Sequence, residues 1–192
     1  MNRSFLFLLG TTRPGGNTET LARLAAAELP ADVPQTWLTL SDLDLEPFRD
    51  IRHDGDGVYP LPVGDHRTVL NETLAATDLV IASPLYWFMV SASVKKYFDH
   101  WSGWLRLPGV DFRDRMRGKT MWVVTAHTAK DPAEVEPMLG TVRLVADYMG
   151  MRWGGELLAY GNRPGEVLAA PDVAVRARDL FVGVGQSEAV LF

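Results

Sequence analysis

Short apolar runs alternate along the chain with segments in which apolar residues recur at every third or fourth position. The runs are typical of strands buried on both faces, and they lie at residues 4–9, 36–40, 79–83, 119–125 and 153–160. The recurring pattern is typical of helices with one buried face, and it covers residues 18–29, 66–76, 91–104, 135–149 and 171–182. Ser91 is a candidate N-cap of the third helix, and Gly150 follows the fourth.

This alternation predicts the fold class. A strand, a helix and a further strand form a βαβ unit, whose right-handed crossover makes its strands parallel. Five strands in 192 residues fit one α/β domain over residues 1–192, a three-layer flavodoxin-like sandwich with a five-stranded parallel sheet in the order 2-1-3-4-5. Such sheets bind ligands at the carboxyl ends of their strands. We therefore expect the loops after Leu9, Ser83 and Thr125 to share one site.

Composition removes several classes of function. A net charge of −5 argues against nucleic-acid binding, and a chain without cysteine holds no disulfide, thiolate metal site or iron–sulfur cluster of the usual kind. The one candidate metal loop, HDGDG at residues 53–57, lacks oxygen ligands at the required spacing. No apolar run approaches the roughly 18 residues of a membrane span. We expect a cytoplasmic protein with no membrane contact and no bound metal.

The first loop, GTTRPGGNT at residues 10–18, has the composition of a phosphate site at the start of a helix. Its glycines allow close backbone approach, and its side-chain donors are Thr11, Thr12, Arg13, Asn17 and Thr18. Asn17 follows Gly16 where a Walker A loop requires lysine, and Thr12 replaces the second glycine of a dinucleotide fingerprint. The alternative is a glycine-rich turn that caps a helix and binds nothing.

Three segments resemble the NAD(P)H-dependent FMN reductase and flavodoxin-like quinone reductase superfamily. GTTRPGGNT is similar to its G-S-x-R-x-x-G-N-T loop, SPLYWFMVSASVKKYFDHW to its segment with P-x-Y-W and K-x-x-x-D, and GKTMWVVTA to the strand before its third flavin loop. The resemblance covers residues 4 to about 150. It implies FMN as cofactor, with the phosphate on the first loop.

The resemblance also implies which residues face the flavin ring. The ring would lie along Pro84, Leu85, Tyr86, Trp87 and Phe88, a set that also suits a flat apolar ring on physical grounds. Thr125, Ala126 and His127 would face the flavin N1 and C2 carbonyl, where reduced flavin carries negative charge. Two alternatives stay open: the aromatic residues only cover the end of the sheet, and His127 is a surface residue without a ligand.

The function implied is an FMN-dependent NAD(P)H oxidoreductase, a homodimer or higher homo-oligomer. Hydride would pass from NAD(P)H through FMN to a small-molecule acceptor, which is a quinone, a free flavin, a nitro- or azo-aromatic compound or a ferric chelate, and no side chain need act as acid or base. The alternatives are a flavodoxin-type electron carrier and an interaction module without flavin. The connection at residues 41–65 shapes either the acceptor pocket or a dimer contact, and the tail at 185–192 either docks across the dimer interface or frays. The basic run at 113–119 is a solvated connection, with contact to an NADPH phosphate as the alternative.

Overall fold

The protein, described here over residues 3–182 by a computed structural model, is built on one parallel sheet with the strand order β2-β1-β3-β4-β5. The strands are β1 (Phe5–Leu9), β2 (Gln35–Thr39), β3 (Asp78–Ala82), β4 (Thr120–His127) and β5 (Arg152–Tyr160). The α-helices are α1 (Asn17–Ala26), α2 (Gly64–Ala75), α3 (Ala92–Trp104), α4 (Phe112–Met116), α5 (Glu136–Tyr148) and α6 (Val173–Leu180). The predicted fold class, sheet and strand order are confirmed.

Alternating side chains of the central strands divide the core into two apolar layers. Leu6 and Leu8 of β1 face a layer that contains residues of α2, α3, α4 and α5. Phe5 and Phe7 face the opposite layer, which α1 and α6 cover. Both faces of the sheet are therefore covered, which explains why the inner strands read as continuous apolar runs.

The segment 113–119, predicted to be a solvated connection, begins as part of a short helix. Phe112 and Met116 of α4 are buried in the layer beneath α3, while the arginines between them stay exposed. The prediction of a fully solvated segment is wrong here, because two apolar residues four positions apart bury one face of a single helical turn.

Two local features also differ from prediction. Strand β4 continues to His127, where it pairs with Tyr160, so Thr125, Ala126 and His127 end a strand and the loop begins at Thr128. Ser91 occupies the N-cap position of α3, but its side chain makes no capping bond; its hydroxyl lies 3.1 Å from the hydroxyl of Ser93. The tail at residues 185–192 lies outside the described residues.

Candidate functional site

The loops after β1, β3 and β4 lie side by side at the carboxyl edge of the sheet, as expected. The amide of Gly10 donates to the carbonyl oxygen of Ala82 at 2.8 Å, and the amide of Leu85 donates to that of Ala126 at 3.4 Å. A Cβ on Gly10 would lie 2.5 Å from Ser91 Oγ, so this glycine allows the first loop to touch the start of α3. The sheet topology thus brings the predicted site segments together.

The first loop leaves the start of α1 open to an anion. The N-cap is Gly16, and no side chain within residues 3–182 caps this helix. The first amide to bond back into the helix is that of Thr20, which donates to Gly16 O at 2.9 Å. The amides of Asn17, Thr18 and Glu19 therefore have no partner within the helix, and they carry the positive end of its dipole.

The loop conformation is fixed by bonds that do not use these amides. The hydroxyl of Thr11 accepts from the amide of Arg13 at 3.2 Å, and the amide of Gly15, whose φ is +64°, donates to Glu19 Oε2 at 2.8 Å. Burial raises the pKa of Glu19, but its bonds to Gly15 and Arg23 outweigh burial and hold the pKa below its usual range. Glu19 therefore stays ionised, with its charge balanced by Arg23 at 2.7 Å.

Thr12, Arg13 and Thr18 differ in how they can meet a ligand. Thr12 and Arg13 are exposed, and Thr18 is buried in the first turn of α1. Arg13 makes no ion pair with the acidic groups of residues 3–182. Its guanidinium is therefore available to an incoming anion.

Asn17 plays a structural part that sequence reasoning missed. Its side-chain nitrogen donates to Arg163 O at 2.9 Å, and its side-chain oxygen accepts from Gly165 N at 2.8 Å. A Cβ on Gly161 would lie 2.9 Å from Asn17 Nδ2. The Asn17 side chain thus fastens the loop after β5 to the start of α1, while its backbone amide is left for a phosphate. The turn composition of residues 161–165 signals a loop, but it does not say where that loop docks.

The second loop forms a two-residue hairpin that presents aromatic rings to solvent. Tyr86 and Met89 exchange backbone hydrogen bonds of 3.0 Å in both directions, and the residues between them, Trp87 and Phe88, have φ of +51° and +64°. Positive φ at both central positions defines a type I′ turn, which normally requires Asn or Gly. Two bulky aromatic residues there are strained, and such strain clusters at functional sites.

The rings of this hairpin are strongly exposed. Trp87 is 92% exposed, Tyr86 56% and Phe88 48%, while Pro84 and Leu85 are half-buried at the base of the loop. Large apolar side chains at one place on a surface mark a contact with a ligand or with another protein chain.

The third segment contains one unsatisfied polar atom. Thr125 is buried, and Ala126 packs in the layer beneath α1 and α6. His127 is half-buried, and its Nδ1 is buried without a hydrogen-bond partner among residues 3–182. Burial lowers the pKa of His127 below its ordinary value, although the nearby Ala129 backbone acts in the opposite direction, so the ring is neutral at pH 7. A buried unpartnered nitrogen calls for a ligand or water.

These features fit FMN. Open helix amides and a free arginine suit a phosphate dianion, and a strained aromatic hairpin suits a flat ring. No helix of residues 3–182 has the length and apolarity that a membrane span requires. The same residues contain no cluster of His, Asp and Glu that could hold a metal ion.

A protein-family model described as a flavodoxin-like fold matches residues 3–180. The chain belongs to this family. A curated relative is YwqN of Bacillus subtilis strain 168, whose name describes an NAD(P)H-dependent FMN-containing oxidoreductase. It is 32% identical over 160 residues, which cover 83% of this chain and 86% of the relative. The predicted family is confirmed, and the predicted enzyme class and cofactor agree with this relative.

Solved structures agree with the flavodoxin-like assignment. The Trp repressor binding protein of Bacillus subtilis is 26% identical, with a TM-score of 0.70 over 92% of this chain and 96% of that one. An FMN-dependent NADH-azoreductase of Bacillus anthracis, solved in complex with FMN, is 14% identical with a TM-score of 0.64 over 93% of this chain and 97% of that one. At that identity the likeness concerns the fold alone.

Proposed function

We propose that this flavodoxin-like chain is an FMN-dependent NAD(P)H oxidoreductase that reduces a planar aromatic acceptor of the quinone or azo type. The observation that carries the proposal is the position of an uncapped helix start and a strained aromatic hairpin at the same edge of the sheet. An anion site and an apolar shelf side by side match the two ends of FMN. The name of the curated relative supports the same enzyme class and cofactor.

The first loop binds the phosphate. The amides of Asn17, Thr18 and Glu19 donate to it, the exposed Arg13 adds a charged fork, and Thr12 and Thr18 add hydroxyl donors. Each charge-assisted hydrogen bond contributes roughly 1.5–3 kcal/mol. Because Thr11, Gly15 and Glu19 already hold the loop in shape, little ordering accompanies binding.

The second loop orients the ring. FMN, when bound, supplies the redox chemistry by accepting a hydride from NAD(P)H and passing electrons to the acceptor. Tyr86, Trp87 and Phe88 flank the ring and exclude water from it, and their exposure leaves room for a second planar molecule to stack. His127, a half-buried and neutral ring at the end of β4, is the candidate partner for the polar edge of the flavin.

We propose a homodimer as the assembled form. An apolar groove of about 350 Å³ lies between α3 and α5, and Leu144 and Tyr148 at its side are 70% and 63% exposed. A second copy would cover these side chains. The need for NAD(P)H favours the cytoplasm as the location. Light scattering tests the assembly: Leu144→Glu should shift the protein towards monomer, and an unchanged mass for this variant and the wild type would contradict a dimer through this groove.

Anaerobic stopped-flow spectroscopy tests the function. The protein reconstituted with FMN should show the visible absorption band of oxidised flavin. NADH or NADPH should bleach that band, and a quinone or azo dye added afterwards should restore it. A flavodoxin-type carrier would keep its band until a separate reductase is added. A protein that stays colourless after incubation with FMN contradicts both the oxidoreductase and the electron carrier, and it indicates an interaction module.

Variants connect the assay to the site. The double variant Arg13→Ala/Thr18→Val should weaken FMN binding by at least about a hundredfold, because it removes two donors to a dianion. Arg106→Ala is the matched control. Arg106 is an exposed arginine just beyond the end of α3, and its guanidinium donates to Ser102 O. Equal FMN affinity in both variants would contradict the binding of the phosphate by this loop.

A further inference from the structure

A second cavity lies between α3 and the long connection that precedes α2. Its volume is about 520 Å³, within the range of small-molecule sites. Its walls are mostly apolar and aromatic, with two histidines among them, and include Phe48, Tyr59, Leu61, His66, His100 and Trp104.

The connection is built against α3. Lys96 Nζ donates to Leu45 O at 2.6 Å, and the rings of Phe48 and Tyr59 lie parallel with centroids 6.1 Å apart. A Cβ on Gly103 would lie 3.1 Å from Tyr59 Cδ1, so the connection touches the helix backbone. The cavity is therefore a formed feature between two packed segments.

This cavity is distinct from the flavin site. Helix α3 starts beside the first loop, where Gly10 meets Ser91, and it runs away from that edge. Its 13 residues put Trp104 roughly 18 Å from Ala92, at about 1.5 Å per residue. No residue of the three flavin loops lines the cavity.

The two histidines have fixed and complementary tautomers. The amide of Glu46 donates to His66 Nε2 at 3.1 Å, so the proton of a neutral His66 is on Nδ1. His100 Nε2 donates to Glu46 O at 2.8 Å, so Nδ1 of a neutral His100 is an acceptor. The two rings meet edge to face with centroids 4.6 Å apart. Neither Nδ1 is sealed from solvent or bonded to a group of residues 3–182.

Burial of His100 keeps its ring neutral. Burial lowers the pKa of His100, the neighbouring His66 and Lys96 lower it further, and the Glu46 carbonyl and Asp99 act in the opposite direction. The hydrogen bonds to Glu46 therefore leave one N–H donor, His66 Nδ1, and one nitrogen acceptor, His100 Nδ1. A single hydroxyl group satisfies both, because its oxygen accepts while its hydrogen is donated.

We propose that this cavity binds a hydroxyaromatic small molecule, whose ring packs among Phe48, Tyr59 and Trp104 and whose hydroxyl bridges His66 Nδ1 and His100 Nδ1. The site lies outside the oxidoreductase centre, so it binds its ligand whether or not FMN is present.

Isothermal titration calorimetry with two probes tests the proposal. 2-Naphthol carries the required hydroxyl, and 2-methoxynaphthalene has the same ring but cannot donate. With the FMN-loaded protein, we expect 2-naphthol to bind about tenfold more tightly than the ether, because the ether loses the bond to His100. The titration is repeated on the FMN-free protein and should give the same affinity. If the chain does not take up FMN, the comparison of the two probes is unaffected.

Variants locate the binding. His66→Phe and His100→Phe keep an aromatic ring and should each weaken 2-naphthol about tenfold. The affinity for the ether should fall in His66→Phe, which removes the donor to the ether oxygen, and stay the same in His100→Phe. His53→Phe, an exposed histidine of the same connection, is the matched control and should bind like the wild type. The proposal is overturned if both probes bind equally, if neither binds at millimolar concentration, or if FMN displaces 2-naphthol. The comparison of probes on the wild type decides the matter even where a variant does not fold.

Discussion

The strained turn at Trp87 should lower the free energy of unfolding, while the exposed Trp87 ring contributes to FMN binding. The change that tests this is Trp87→Asn, because Asn adopts positive φ readily and Trp does not. A bulky residue in that conformation costs about 1–2 kcal/mol relative to the right-handed one. Trp87 is 92% exposed, so of the roughly 250 Å² of a tryptophan it buries about 20 Å², which contributes about 0.5 kcal/mol.

We therefore expect Trp87→Asn to be more stable than the wild type. Relief of strain exceeds the lost burial by about 1 kcal/mol, which corresponds to a rise in Tm of about 2–4 °C for a chain of this size. Thermal unfolding of the FMN-free protein by circular dichroism measures it. FMN affinity should move the other way and fall about 2–10-fold, because one aromatic contact with the ring is lost.

Tyr148→Asn provides the control. Tyr148 is 63% exposed and ends α5 in right-handed conformation, so this change removes an exposed ring without relieving positive φ. It should lower Tm, because the contact with Arg113 at 4.2 Å is lost and because Tyr148 lies in the groove of the proposed dimer. The reasoning is refuted if Trp87→Asn also lowers Tm, since the turn would then not be strained, or if FMN affinity is unchanged, since the ring would then not meet the flavin.

Three further changes test the core and the pH response. Asp78→Ala should cost about 3–5 kcal/mol in urea unfolding, because this buried carboxylate accepts from Trp122 Nε1 at 2.9 Å and from Arg3; a loss below 1 kcal/mol would contradict it. Tyr97→Phe should cost about 1 kcal/mol by removing the buried 2.9 Å hydroxyl contact with Thr73, and an unchanged urea midpoint would count against that bond. Burial lowers the pKa of His100, so below pH about 6.5 the unfolded chain binds more protons and the free energy of unfolding should fall by at most about 1.4 kcal/mol per pH unit. In His100→Gln this slope should be smaller, and an equal slope would assign the response to other groups.

The order of strands and helices could be predicted because the inner strands are buried on both faces and each long helix is buried on one face. The same logic failed at α4, where only Phe112 and Met116 carry the signal among arginines. It also ended β4 too early, because the pairing of Ala126 with Ala159 depends on a partner strand that is distant in sequence.

The candidate site was predictable in its segments but not in its geometry. Composition identified the first loop and the aromatic loop, and the sheet topology placed them together. Nothing local indicated that Trp87 and Phe88 adopt positive φ, since turn preferences predict the opposite. Likewise, the bonds from Asn17 to residues 163 and 165 join positions almost 150 apart in the chain. The assignment of individual residues to FMN stays a prediction.

The bonds from Asn17 to the loop after β5 couple that loop to phosphate binding at the start of α1. A phosphate that immobilises the amide of Asn17 also stiffens the carboxamide on the same residue, and with it the backbone of Arg163 and Gly165. Residues 161–169 should therefore gain protection from deuterium exchange when FMN is added. Deuterium exchange in the loop after β5 would thus report whether the first loop holds a phosphate.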